Sequence, residues 1–185
     1  MRAAAVRRIG ARENGPVTDH HYALDLVWQG NRGTGTSGYR DYDRTVLLRA
    51  DGKPDLLGSA DPTFRGDADR WNPEELLLAA LAQCHLLSYL HSAVDHGVVV
   101  VAYDDSPVGT MAQVGKGGRF TSVTLRPRVS VADAAMVETA RAIHAEASQN
   151  CFIAASVNFP VEHEPTVLVA AGGAADGAAG PGTAS

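Results

Sequence analysis

The stretch that decides the fold is Asn72-Pro73-Glu74-Glu75-Leu76-Leu77-Leu78-Ala79-Ala80-Leu81-Ala82-Gln83-Cys84. Its asparagine is a good helix N-cap, its proline suits the first helical position, and its two glutamates face the positive end of the helix dipole. These signals predict a long helix that runs to about His96 and stops at Gly97. Residues 76–82 are apolar on every side of that helix, which indicates burial inside the protein or between subunits.

The residues on either side of this helix predict an α+β fold. Strands are predicted at 21–28, 45–49, 98–103 and 167–170, a hairpin at 111–114 and 119–131, and a second helix at 133–149. The segment 151–157 fits either a helix continuation or a loop. Because strands and helices do not alternate regularly, this order favours α+β over a repeating βαβ sheet.

The composition predicts an ordinary acidic domain with polar ends. Lys and Arg number 16 against 21 Asp and Glu, for a net charge of −5, which argues against a nucleic-acid partner. We predict a domain at 20–169, a flexible N-terminal segment at 1–19 and a disordered Ala/Gly-rich tail at 170–185. No apolar run approaches the length of a membrane span, and no apolar segment follows the N-terminal arginines. We therefore expect a cytoplasmic protein with no membrane partner.

Two cysteines, Cys84 and Cys151, are too few for a disulfide-stapled miniprotein or a four-cysteine zinc site. In a reducing compartment such residues are catalytic, metal-binding or redox-sensing more often than structural. A cysteine on an apolar helix is also commonly an inert core residue. The positions one helical turn from Cys84 hold only Ala, Leu and Ser, so any activation of its thiol must come from elsewhere in the fold.

Two further patterns are weak. Residues 33–38 match G-x-G-x-x-G, but a strand follows them where a dinucleotide site needs a helix, so the pattern indicates a turn and no cofactor is expected. The seven histidines show no metal-ligand spacing, and His163, between two glutamates, is typical of a solvated charged edge. A zinc site built from Cys84, Cys151 and one histidine, with a metal-dependent hydrolase activity, is the least favoured hypothesis.

Three motifs resemble the OsmC/Ohr family of thiol peroxidases. The Asn-Pro-Glu helix start with Cys84 ten residues after Glu74 resembles the family's signature helix, and Cys151 lies where the family keeps its second cysteine. Gly-Asn-Arg-Gly at 30–33 resembles the glycine-flanked arginine that ends the family's first strand. His85 and the Phe-Ile-Ala after Cys151 depart from the typical pattern, so the chain is more similar to the OsmC-like branch than to the organic hydroperoxide resistance proteins.

The resemblance implies antiparallel sheets with two main helices, the long one buried in an intertwined homodimer. It also implies reduction of organic hydroperoxides by a peroxidatic Cys84, with Cys151 as the resolving thiol and an external dithiol as reductant. Arg32 would stabilise the thiolate and polarise the peroxide, and Glu74 would hold Arg32 in place. The alternative is a non-peroxidatic OsmC-like protein that binds a small apolar ligand or senses redox state.

The spacing of Glu74 and Cys84 adds a geometric constraint. Ten helical residues rise about 15 Å, so the two side chains cannot meet on one straight helix. Either the helix is interrupted between them, or another subunit completes the site.

Overall fold

The computed structural model describes residues 18–171. The segments predicted to be flexible at 1–19 and disordered at 170–185 lie almost wholly outside the described residues. Within them, three small three-stranded sheets accompany two main helices. The predicted α+β fold is confirmed.

The first sheet comes entirely from the N-terminal part of the domain. It contains β1 (Asp25–Trp28), β2 (Val46–Arg49) and β3 (Leu56–Gly58), which pair antiparallel in that order. Every side chain of β1 is exposed, on both faces of the strand. This sheet therefore does not bury an apolar face of β1 within the described part of one chain.

The long helix α1 (Pro73–Asp95) begins and ends as predicted. The Asn72 side chain accepts a hydrogen bond from the Glu75 amide at 2.8 Å, and the Glu75 carboxylate accepts one from the Asn72 amide at 3.2 Å. This reciprocal pair is a capping box. At the other end, Gly97 has a φ of +67°, which only glycine adopts without strain.

Replacing Asn72 with Ala should lower the free energy of unfolding by about 1 kcal/mol, because the Glu75 amide would lose its acceptor at the helix start. Urea denaturation followed by circular dichroism measures the change. Asn158→Ala, at an exposed loop position, is the matched control and should leave the midpoint unchanged. An equal loss in both variants would contradict the capping role.

The chain after α1 adds six strands and two helices. They are β4 (Val100–Asp104), β5 (Val108–Val114), β6 (Gly117–Leu125), β7 (Arg128–Val131), α2 (Val137–Gln149), α3 (Phe152–Ala155), β8 (Val161–His163) and β9 (Thr166–Val169). In one sheet β7 lies between β4 and β9, and in the other β6 lies between β5 and β8. The β7–β9 and β6–β8 pairs are parallel and the rest antiparallel.

The predicted continuous strand at 119–131 is wrong, because the chain leaves one sheet at Arg126 and Pro127 and enters the other. Proline has no amide hydrogen for a strand ladder and restricts the residue before it. The Arg126 amide instead donates to the Asp105 side chain at 2.7 Å. The strands β3 and β8 and the short helix α3 were not predicted as such, since three or four residues carry too little pattern.

Two apolar clusters form the core, and α1 contributes to both. Leu81 packs with Val123 and Leu125 in one cluster, and Tyr89 packs with residues of α2, β4, β7 and β9 in the other. These contacts fix α1 against the C-terminal half of the domain.

The described part of the chain leaves one side of α1 uncovered. Leu87, Leu90 and Val94 form an exposed apolar stripe at helical spacing. By length and composition alone α1 could cross a membrane, but the core helix of a soluble protein passes the same test. Only 28 % of the apolar 18-residue stretch of α1 is buried by the described residues. The stripe is therefore a large apolar surface that residues 18–171 of one chain leave open.

Candidate redox-active site

The two cysteines meet between α1 and the turn that follows α2. Cys84 is half-buried in the middle of α1, and Cys151 is buried at the N-cap of α3. Both are free, and Cys84 lies close enough to Cys151 to influence the pKa of that thiol. The structure thus brings together two residues that lie 67 positions apart in the sequence.

The environments of the two thiols differ. Burial raises the pKa of Cys151 to about 11, and the neighbouring Cys84 thiol adds to the rise, while the Ala154 amide, which donates to the Cys151 sulfur at 3.4 Å, opposes it. Cys151 is therefore a protonated thiol at neutral pH. Since Cys151 is only 2 % exposed, Cys84 is the thiol of the pair that a substrate could reach.

Arg32 lies in the loop between β1 and β2. Its guanidinium makes a 3.8 Å ion pair with Asp43 and donates to the carbonyl of Arg40. Among residues 18–171, no arginine donates a hydrogen bond to either cysteine sulfur. One chain on its own therefore does not place the predicted Arg32 cation against Cys84.

Glu74 lies in the first turn of α1, with one carboxylate oxygen that is buried and finds no hydrogen-bond partner within the described chain. The helix α1 is continuous from Pro73 to Asp95, so about 15 Å of rise separates Glu74 from Cys84. The sequence left two ways to bring these residues into one site, an interrupted helix or a second subunit. The interrupted helix is wrong, because α1 is continuous.

Arg70 is a charged residue near the start of α1 that the sequence analysis did not single out. It forms a 3.4 Å ion pair with Asp67, and one of its guanidinium nitrogens is buried without a partner in the described residues. A single arginine in a loop carries no pattern that could have drawn attention to it.

Three histidines lie side by side in the core. His85 Nε2 is 3.1 Å from Nδ1 of His144, and the His163 ring centroid is 4.3 Å from that of His85. The interpretation of His163 as part of a solvated edge is wrong, because its ring is half-buried against His85. Burial lowers the pKa of His85 to about 3, aided by His163 and His144, lowers that of His144 to about 4, and lowers that of His163.

This arrangement of histidines does not support the hypothesis of a zinc site. Within 18–171, no group of three or more His, Cys, Asp or Glu side chains has a geometry that could hold a metal ion. Nε2 of His85 and Nδ1 of His144 are instead paired with each other.

A half-buried cysteine on a long apolar helix, in contact with a buried cysteine after the next helix, defines an α+β protein with a paired-thiol site. Residues 66–166 match the family model described as "OsmC-like protein", and the chain belongs to the OsmC-like family.

Solved structures agree with this assignment. An OsmC-like protein of unknown function from Vibrio cholerae is 28 % identical, with a TM-score of 0.71, and the match covers 80 % of this chain and 100 % of that chain. An organic hydroperoxide resistance protein OsmC from Legionella pneumophila is 18 % identical, with a TM-score of 0.59, over 83 % of this chain and 100 % of that chain.

An organic hydroperoxide resistance protein from Elizabethkingia anophelis is similar to the same extent. It is 16 % identical, with a TM-score of 0.59, over 82 % of this chain and 99 % of that chain. At these identities the Legionella and Elizabethkingia proteins share the fold with this chain. The comparison with curated proteins gives no match.

Proposed function

We propose that the protein is a thiol peroxidase that reduces organic hydroperoxides, with Cys84 as the peroxidatic and Cys151 as the resolving cysteine. The contact between the two free thiols carries this proposal. Cys84 is the accessible thiol, as the cysteine that attacks the peroxide must be. Cys151 is buried and protonated, and it is therefore assigned to the resolving step. The names of the solved Legionella and Elizabethkingia proteins support the choice of hydroperoxides as substrates.

The chemistry proceeds in three steps. The Cys84 thiolate attacks the O–O bond, the alkoxide leaves and takes up a proton as the alcohol, and Cys84 becomes a sulfenic acid. Cys151 then gives up its proton and its sulfur attacks the Cys84 sulfur, the sulfenic hydroxyl leaves with a proton as water, and a disulfide forms. An external dithiol reduces that disulfide, as expected for a cytoplasmic enzyme that needs no bound cofactor.

A second copy of the chain completes the site in this proposal. The continuous α1 keeps Glu74 about 15 Å from Cys84 of the same chain, while Arg32 lies in the loop after β1, a strand whose side chains are all exposed. The open stripe on α1 supplies a further surface for pairing. We infer a homodimer in which Arg32 and Glu74 of one chain serve Cys84 of the other, with a sedimentation mass of twice 19.4 kDa.

Turnover of cumene hydroperoxide with dithiothreitol tests the enzyme proposal. The wild type should consume peroxide, and mass spectrometry should find a disulfide between Cys84 and Cys151. Cys84→Ser should fall to the uncatalysed rate, because the attacking sulfur is gone. Cys151→Ser should still form the Cys84 sulfenic acid, which dimedone traps, since only the resolving step is lost.

A wild type no faster than Cys84→Ser would overturn the enzyme proposal. A peroxide-induced disulfide without turnover would then favour the redox-sensing alternative. A chain that forms no disulfide at all would favour binding of a small apolar ligand.

A further inference from the structure

The histidine pair between α1 and α2 has no part in the thiol chemistry above, yet it is built into the core. His85 is 0 % exposed and His144 is 3 % exposed. Their rings stack nearly parallel, with centroids 5.4 Å apart, and the 3.1 Å hydrogen bond links the two helices directly.

Burying the His85–His144 pair in the core costs free energy. A neutral imidazole has one N–H, and the shared bond uses Nε2 of His85 and Nδ1 of His144. Their other ring nitrogens, Nδ1 of His85 and Nε2 of His144, are buried with no partner in the described chain. Two apolar side chains of similar volume would avoid that cost, so stability does not account for the pair.

The place of the bond in the fold indicates what it does. His85 directly follows Cys84 on α1, and His144 lies on α2, which ends at Gln149, two residues before Cys151. The bond therefore joins the helix that carries one thiol to the helix that leads into the other. The His163 ring packs on His85 from β8 and restrains its plane.

We propose that the hydrogen bond between His85 and His144 positions the thiol pair, by fixing α1 against α2 so that Cys151 meets Cys84 in a geometry that closes to a disulfide. This inference rests on the proposed function, since it assigns a role in the resolving step. A disulfide tolerates only a narrow range of Cβ–Cβ separations, near 3.8 Å, so a small slip between the helices lowers the effective concentration of one thiol toward the other.

The imidazoles suit this role at neutral pH. Because burial holds their pKa values well below 6.5, both rings are neutral and one can donate while the other accepts. The titratable groups that face the pair are His163 from β8 and Tyr89 from α1, whose ring stacks on His144.

The test compares two side chains of the same shape at position 144. Asn keeps a polar atom near the place of Nδ1, and Leu does not. Each variant is equilibrated in glutathione redox buffers, and the fraction of Cys84–Cys151 disulfide is measured by alkylation and mass spectrometry. We expect His144→Leu to lower the effective concentration of the thiol pair about tenfold relative to His144→Asn, which should stay close to the wild type.

Tyr89→Phe is the matched control for general loosening of the helix packing. It removes another buried bond between α1 and α2, from the Tyr89 hydroxyl to the Ala140 carbonyl at 2.9 Å, and should leave the thiol equilibrium unchanged. Circular dichroism checks that each variant is folded. If His144→Leu does not fold, His85→Gln and His85→Met form a second pair with the same logic.

Equal effects in the polar and apolar variants, or an effect of Tyr89→Phe as large as that of His144→Leu, would overturn the positioning role. A wild type that forms no disulfide in these buffers would overturn it as well. The assay contains no peroxide, so a histidine effect without hydroperoxide turnover would leave the positioning role standing and reject the peroxidase.

Discussion

A mixture of Cys84→Ser chains and Glu74→Gln chains should recover about a quarter of the wild-type hydroperoxide turnover, although each variant alone is inactive. The reason is geometric, because α1 is continuous and cannot bring Glu74 to Cys84 of the same chain. If each site takes Cys84 from one chain and Glu74 from the other, a mixed dimer contains one site with both native residues. Half of the dimers are mixed after random pairing, and half of their sites are intact.

The experiment co-refolds the two variants with different affinity tags and isolates the mixed dimer by tandem purification. Its turnover should reach about half that of the wild type, one site of two. Glu75→Gln is the matched control, since glutamine can still serve the capping box, and this variant alone should remain active. An inactive mixed dimer would contradict a site shared between chains.

Acid should destabilise the protein well above the pH at which most carboxylates are protonated. His85 and His144 have folded-state pKa values of about 3 and about 4, lower than the ordinary value of 6.5. Below pH 6.5 the unfolded chain binds protons that the folded chain does not, so stability is lost as the pH falls from 6.5 toward 4. The loss between pH 6.5 and pH 5 should be about 2 to 4 kcal/mol for the two buried imidazoles together.

Urea denaturation at a series of pH values measures this loss. The double variant His85→Gln/His144→Asn should have a flatter profile, because amides do not titrate, whereas His91→Asn, at an exposed site, should follow the wild type. The comparison isolates the imidazoles from Glu146, whose lowered pKa also favours acid unfolding, and from Asp105, whose pKa burial raises. Parallel profiles for the double variant and the wild type would refute the histidine effect.

The parts of the fold that could be predicted are those with local causes. The capping residues of α1 and the glycine at its end act within a few residues, so both ends of the helix follow from the sequence. Proline at 127 is also visible in the sequence, but the sheet change there depends on Asp105 accepting from the Arg126 amide, which is a distant partner.

The candidate site divides in the same way. Cys84 and Cys151 could be proposed as a pair because a family pattern ties them together, and the structure places them in contact. The meeting of His85, His144 and His163 could not be predicted, because three elements far apart in the chain bring the rings together. Arg32 and Glu74 remain predictions, since the described residues of one chain bring neither side chain to Cys84.

The burial of Cys151 bears on how readily such a site would be inactivated by over-oxidation. A sulfenic acid on Cys84 has two fates: closure with the neighbouring thiol, or reaction with a further peroxide to the irreversible sulfinic acid. A second thiol held next to the sulfenic acid favours closure by proximity, and its burial, at 2 % exposure, shields it from bulk oxidant. Resistance to over-oxidation would then be a property of the packing around Cys151, and variants that loosen this turn would inactivate themselves during turnover.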